Sequence, residues 1–309
     1  MSKILLFYKY VDVEYPEAVL SWQKELCQSL NLKGRIIIAS EGINGTLGGS
    51  DIEIEAYKSQ MNNNSKFKDL FSGIDFKESF SDKSCFSKLK IVVKKEIVRL
   101  GLDPDIIKAK DGGKHLTPEQ AHSLITQNPE DLVLLDTRNN YESRIGTFVL
   151  NNGQSAIASD TNTFREFPKY IDENLEKFKD KQVLMFCTGG VRCERASAYL
   201  KSKNVSKNVY QIEGGIHRYA QKYADGYFRG KNYVFDSRIA SQVNDDILSE
   251  CDYCKEPYDN YSNCINAECN IQIIVCPNCM ETYHNTCSDR CLDLVLNKKV
   301  NIRKLNLLN

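Results

Sequence analysis

Apolar and polar positions alternate with two different periods along this chain. Lys3–Val11 is rich in apolar and aromatic residues and reads as a strand, whereas Ala18, Val19, Trp22, Leu26 and Leu30 recur at helical spacing across Pro16–Leu30. Arg35–Ala39 reads as another strand, and Ile43–Leu47 contains Asn44-Gly45, a dipeptide that favours hairpin turns. Ile52–Met61 carries a weaker helical pattern. Leu89, Ile91 and Val93 then alternate with lysines in a closing strand over Leu89–Val98. The order βαββαβ predicts a ferredoxin-like sandwich over residues 1–100.

The pattern changes after a linker at 101–115, marked by Pro104 and the turn Asp111-Gly112-Gly113. Thr117 is a suitable N-cap, Pro118 suits the first helical position, and Gln120 completes a capping box. Leu132–Leu135 and Val183–Phe186 are continuous apolar runs and Val209–Ile212 reads as a further strand, with helical patterns over Lys169–Phe178 and Glu194–Ser202. Strands apolar on both sides predict a parallel sheet covered on both faces, an α/β domain over 116–240. A Cys-rich module over 248–292 and a tail over 293–309 complete the organisation.

Open parallel sheets place their chemistry at the carboxyl ends of the strands. There the Val183–Phe186 strand runs into Cys187-Thr188-Gly189-Gly190-Val191-Arg192 and then a helix. The glycines allow the loop to turn its amides inward, and the helix N-terminus favours an anion beside the sulfur. Arg192 adds a fixed charge, so the Cys187 thiol should be acidic and nucleophilic. Cys193 either packs inward or faces the loop as a second redox or resolving thiol. Asp136, Arg138 and Glu142 suit charge-assisted hydrogen bonds that buttress the loop. His217 reads as a capping or packing residue, and His115 and His122 as surface residues.

Charge and cysteine usage narrow the classes. Lys and Arg number 41, as do Asp and Glu, so no global field advertises nucleic acid or membrane. No run is long enough to span a bilayer, and the charged start reads as a strand rather than a signal peptide. Twelve cysteines without such a signal fit a reducing cytoplasm, where they favour catalysis or metal over disulfides. Eight of them form four pairs: Cys251/Cys254, Cys264/Cys269, Cys276/Cys279 and Cys287/Cys291. Eight thiolates complete two zinc sites of four cysteines each, or else serve redox chemistry; spacing leaves the pairing open, and His284 is an alternative ligand. Lys88, Lys90, Lys94, Lys95 and Arg99 form either a basic face for phosphates or a solvated strand. Lys298, Lys299, Arg303 and Lys304 leave the same two options at the end of the chain.

Taken together, Asp136-Thr137-Arg138, Tyr141-Glu142, the Cys187–Arg192 loop and Glu213-Gly214-Gly215-Ile216 resemble a rhodanese domain. With Glu41–Leu47, Phe164–Pro168, Cys193-Glu194, Tyr233–Arg238 and the cysteine-rich end, the chain resembles the rhodanese-type tRNA uridine hydroxylases over nearly its whole length. Residues 148–159 are longer and richer in Asn and Ser than that family's pattern. The resemblance implies an acylphosphatase-like first domain and a cytoplasmic enzyme acting on the anticodon region of tRNA. It would install 5-hydroxyuridine at the wobble position with molecular oxygen, its essential cysteine falling on Cys187. No flavin or nicotinamide motif accompanies these residues. Taken alone, the loop also suits a sulfurtransferase carrying a persulfide on Cys187, and the cysteine-rich end suits a non-enzymatic RNA-binding scaffold. Four residues separate Cys187 from Arg192, one fewer than in cysteine phosphatases, so phosphatase chemistry is not expected.

Overall fold

The computed structural model describes residues 2–127 and 129–303. Its first domain is built from β1 (Ser2–Tyr10), α1 (Pro16–Ser29), β2 (Lys33–Ala39), β3 (Gly42–Gly49), α2 (Asp51–Asn63), α3 (Lys68–Phe71), β4 (Lys77–Ser81) and β5 (Leu89–Val93). Pro16 opens α1, and a capping box between Ser50 and Glu53 opens α2. Leu5 and Phe7 of β1 join Ile36, Ile38, Ile43 and Leu47 in a core against Val19 of α1 and Ile54 and Tyr57 of α2. The strand order β4-β1-β3-β2-β5 contains the ferredoxin-like sheet, and β5 extends it by pairing parallel to β2.

Two local expectations are corrected here. The fourth strand of the sandwich is Lys77–Ser81, and Leu89–Val93 is the added edge strand. Lys77-Glu78-Ser79-Phe80-Ser81 hides its identity because polar side chains occupy both faces: Lys77 pairs with Asp75, and Glu78 with Lys3 and Lys58. Asn44-Gly45 lies inside β3 instead of forming a turn; the chain reverses at Ser40-Glu41, where Ala39 pairs with Gly42. A Cβ on Gly45 would lie 2.5 Å from the Phe7 ring, so this glycine makes room for a core aromatic.

The central domain comprises β6 (Lys114–Leu116), α4 (Pro118–Gln127), β7 (Leu132–Asp136), α5 (Asn140–Ser143), β8 (Gly146–Phe148), β9 (Ile157–Ala158), α6 (Phe167–Glu173), β10 (Gln182–Phe186), α7 (Val191–Ser202), β11 (Asn208–Ile212), α8 (Gly215–Lys222), β12 (Phe228–Tyr233) and β13 (Ala240–Gln242). Its sheet, β6-β11-β10-β7-β9, is parallel throughout. Along β10, Val183 and Met185 enter a core with Phe167 and Ala196, while Leu184 and Phe186 enter another with Ile125 and Ile216. Both faces are therefore covered, as the continuous apolar strands imply.

The cysteine-rich segment contributes β14 (Tyr261–Asn263), β15 (Gln272–Ile274), α9 (Pro277–Thr282) and α10 (Asp289–Leu296). It is tied to the central domain by Arg144–Asp252 and Lys231–Asp259, each 2.7 Å, and by the Tyr261 hydroxyl donating to the Tyr141 carbonyl. Among the described residues no helix is long and apolar enough to cross a membrane. Lys304 lies outside the described residues.

Candidate active site

Cys187 directly follows β10, at the carboxyl end of a central strand, and is 1% exposed. Gly190 caps α7 with φ +102°, a conformation that a side chain strains, and its N–H donates to Cys187 Sγ at 3.1 Å. A second glycine pair holds the loop from behind. Ile216 N–H donates to the Cys187 carbonyl and His217 N–H to that of Thr188, and a Cβ on Gly215 would lie 2.4 Å from the Cys187 carbonyl oxygen.

The charged residues act on the loop through pairs. Arg192 forms a two-pronged bond to fully buried Glu142, at 2.6 and 2.7 Å. Thr188 lies between them and donates to the Tyr233 carbonyl. Asp136 grips Arg138 in the same way, and Arg138 in turn donates to the Gly146 carbonyl at 2.6 Å. The two-pronged geometry fixes the orientation of each guanidinium.

Burial disfavours the Cys187 thiolate, but the neighbouring Cys193 thiol, the Arg192 charge and the Arg192 and Gly190 amides outweigh it. Together they bring its pKa down to about 5. Cys193 is shifted the opposite way by burial and by the neighbouring Cys187; its sulfur also lies 3.6 Å from the Thr137 hydroxyl. Cys193 is fully buried and packs inward, within the core beneath the loop.

The first domain supplies the roof of this site, which no pattern in the sequence announces. Leu6 and Tyr8 of β1 press on the loop: a Cβ on Gly189 would meet Leu6 Cδ2 at 2.8 Å, and one on Gly190 the Tyr8 hydroxyl at 2.8 Å. Tyr8 donates to Glu194, Tyr10 to the Val191 carbonyl. Lys77, its side chain 1% exposed, packs beside Gly189 and Gly214 with its ammonium 5.1 Å from the Tyr8 ring centre. Burial pulls the Lys77 pKa down, with Asp75 partly restoring it. His217 stands behind the second glycine pair; burial and the nearby Lys77 charge lower its pKa to about 4, and its Nδ1 has no partner. His115 is half-exposed and pairs with Glu194 at 3.0 Å, while His122 stacks on Tyr223.

Arg195 locks the two domains together. It is fully buried one turn into α7 and meets Glu96 and Glu41 of the first domain and the carbonyls of Leu102 and Ile107. Glu41 also accepts the Ile97 N–H, and Asn44 donates to the Ile97 carbonyl. Glu41 and Asn44 sit in the segment that carries the family resemblance, which is the one signal in the sequence that pointed here.

The eight distal cysteines resolve into two interleaved groups, Cys251/Cys254/Cys276/Cys279 and Cys264/Cys269/Cys287/Cys291, with all sulfurs of each group within 4.8 Å. First and third pairs share one group, second and fourth the other; His284 belongs to neither. Sulfur–sulfur distances of 3.6 Å (Cys254–Cys276, Cys269–Cys287) and 3.7 Å (Cys287–Cys291) match the edge of a tetrahedron, about 3.8 Å for metal–sulfur bonds of about 2.3 Å.

A thiolate loop at the end of a five-stranded parallel sheet is the arrangement of a rhodanese-like domain, and that family model matches residues 117–222. Models described as UPF0176 acylphosphatase like domain and Rhodanase C-terminal match residues 2–97 and 229–292. Curated relatives named tRNA uridine(34) hydroxylase extend over almost the whole chain. That of Corynebacterium jeikeium is 38% identical over 90% of this chain and 89% of its own. That of Enterococcus faecalis is 37% identical over 96% and 92%, and that of Acholeplasma laidlawii 39% over 94% and 89%. The chain belongs to the tRNA uridine(34) hydroxylase family.

Proposed function

We propose that this protein is a tRNA-modifying oxidoreductase that hydroxylates uridine 34, forming 5-hydroxyuridine with molecular oxygen as co-substrate, in the cytoplasm. Cys187 is its essential residue. The observation that carries this reading is the Cys187 sulfur at the carboxyl end of β10, accepting the Gly190 N–H and enclosed between its own loop and the β1 roof of the first domain. The loop amides and the Arg192 charge hold the anion. Glu142, Thr188, Asp136 and Arg138 keep that charge in position. Lys77 brings a second, weakly solvated cation to the same chamber. His217, behind the second glycine pair, stays neutral near pH 7.

Each group of four cysteines fits one zinc ion, since four thiolates at tetrahedral spacing are zinc's preferred structural set. Zinc supplies redox-inert cross-links where the segment has little apolar core of its own. The module borders the site: the Tyr233 hydroxyl donates to Gln272, and the Tyr233 carbonyl accepts from Thr188.

The test is incubation of purified protein and a thiol reductant with tRNA from cells lacking the gene, in air and without oxygen, the reductant supplying the two electrons that take the second oxygen atom to water. Uridine 34 should gain one oxygen atom in air alone, and Cys187→Ser should give none. Cys187-dependent transfer of sulfur from thiosulfate, with no oxidised uridine, would instead establish the sulfurtransferase reading.

A further inference from the structure

The first-domain sheet has one face packed on its helices; the other, outward from those helices, covers the Cys187 loop at β4 and β1, is open to solvent at β2 and β5, and is unbalanced in charge. The five strands β1–β5 contain a single carboxylate, Glu78, and it lies on the helix side with Lys3 and Lys58. On the outward face the register aligns Lys77, Leu6, Thr46, Arg35 and Lys90 in one row across all five strands. The row begins over the Cys187 loop, where Lys77 and Leu6 touch Gly189, and ends at the exposed edge strand. Lys33 and Lys88 flank its outer end.

Arg35 and Lys90 are direct cross-strand partners. Like charges placed opposite each other destabilise a sheet, and here no carboxylate offsets them. Lys33, Arg35, Lys88 and Lys90 are all exposed, and among the described residues none forms an ion pair. With strands about 4.8 Å apart, Arg35 and Lys90 lie roughly 10 and 14 Å from Leu6, within the reach of an RNA chain whose base enters the loop.

We infer that this outward face, centred on Arg35 and Lys90 and flanked by Lys33 and Lys88, is the surface that holds the phosphate backbone of the tRNA anticodon arm. It rests on the functional reading above and locates the substrate relative to Cys187. The repulsion between the cations is relieved when phosphates lie across them. Binding then releases counterions and becomes salt-dependent.

The test uses the full-length protein, a tRNA transcript with uridine at position 34, and three paired variants. Arg35→Glu/Lys90→Glu should weaken binding tenfold or more and flatten the dependence of log K on log salt by about 1.5 to 2. It should raise KM for tRNA with kcat at saturation changed less than twofold. Arg35→Gln/Lys90→Gln should also bind more weakly yet melt at the same or a higher temperature, which separates lost contacts from lost folding. Lys66→Glu/Lys68→Glu, with the same change in net charge at exposed positions on α3 and its approach, should bind within twofold of wild type. Unchanged affinity in both face variants, or an equal loss in the Lys66/Lys68 control, overturns the assignment. Wild-type protein that binds through this face but never oxidises the tRNA supports the assignment and overturns the hydroxylase reading instead.

Discussion

Replacing Cys193 with alanine tests how far the neighbouring thiol favours the Cys187 anion. The Cys187 pKa, held down at about 5, lies well below the ordinary thiol value. Burial opposes the thiolate, so the surrounding donors supply more than that difference. The Cys193 thiol is the foremost of them, ahead of the Arg192 charge and the two amides. A hydrogen bond to a charged acceptor contributes about 1.5–3 kcal/mol, so Cys193→Ala should raise the Cys187 pKa by about one to two units. At pH 7 the wild-type sulfur is therefore mainly thiolate, whereas a free thiol of pKa about 8.5 is mainly protonated. Thr137 keeps its bond to the Phe186 carbonyl in the variant, so the substitution orphans no buried hydroxyl. The assay is the rate of iodoacetamide modification of the Cys187 peptide between pH 4 and 9, read by mass spectrometry. A wild-type midpoint near 8.5, or identical midpoints in both proteins, refutes the reasoning.

Three further outcomes follow from other parts of the molecule. His217 has a folded pKa of about 4, below its ordinary 6.5, so folding withholds a proton: its contribution is complete above pH 6.5 and falls away toward pH 4. Thermal melts should show wild type losing about 3 kcal/mol over that window and His217→Gln losing less; parallel pH profiles would contradict this. Arg195→Met leaves Glu41 and Glu96 without their cation and should cost on the order of 3–5 kcal/mol in denaturant unfolding, whereas a loss under about 1 kcal/mol would show that the triad does not hold the domains. Protein purified under reducing conditions should carry about two zinc ions per chain, and chelation should loosen residues 251–291 while the central sheet persists; eight freely titratable thiols in metal-free native protein would remove the zinc assignment.

The central sheet was legible because its two middle strands are apolar on both sides, Leu132–Leu135 within β7 and Val183–Phe186 within β10, while Val209–Ile212 marks β11 despite the buried Gln211. The Cys187 loop was legible for a related reason, since a glycine pair between a buried strand and a helix has few other uses. What escaped depends on contacts between distant segments. Lys77 reads as a polar residue in an unpatterned stretch, because its strand borders the second domain on one face and ion pairs on the other. Arg195 reads as an ordinary helical charge until Glu41 and Glu96 arrive from the first domain. Asn44-Gly45 misleads because glycine serves there to admit the Phe7 ring, a packing demand with no local signature. The metal pairing escaped because four cysteine pairs can be combined in several ways, and only the fold interleaves them.

The most direct test of Cys187 as the essential residue of a uridine 34 hydroxylase is nucleoside mass spectrometry of tRNA from cells lacking the gene. Those cells are supplied with either the wild-type gene or Cys187→Ser. The 5-hydroxyuridine family of wobble nucleosides should disappear on deletion, return with wild type, and stay absent with a Cys187→Ser protein that accumulates normally. Restoration by Cys187→Ser, or wobble nucleosides unchanged by deletion, would contradict it.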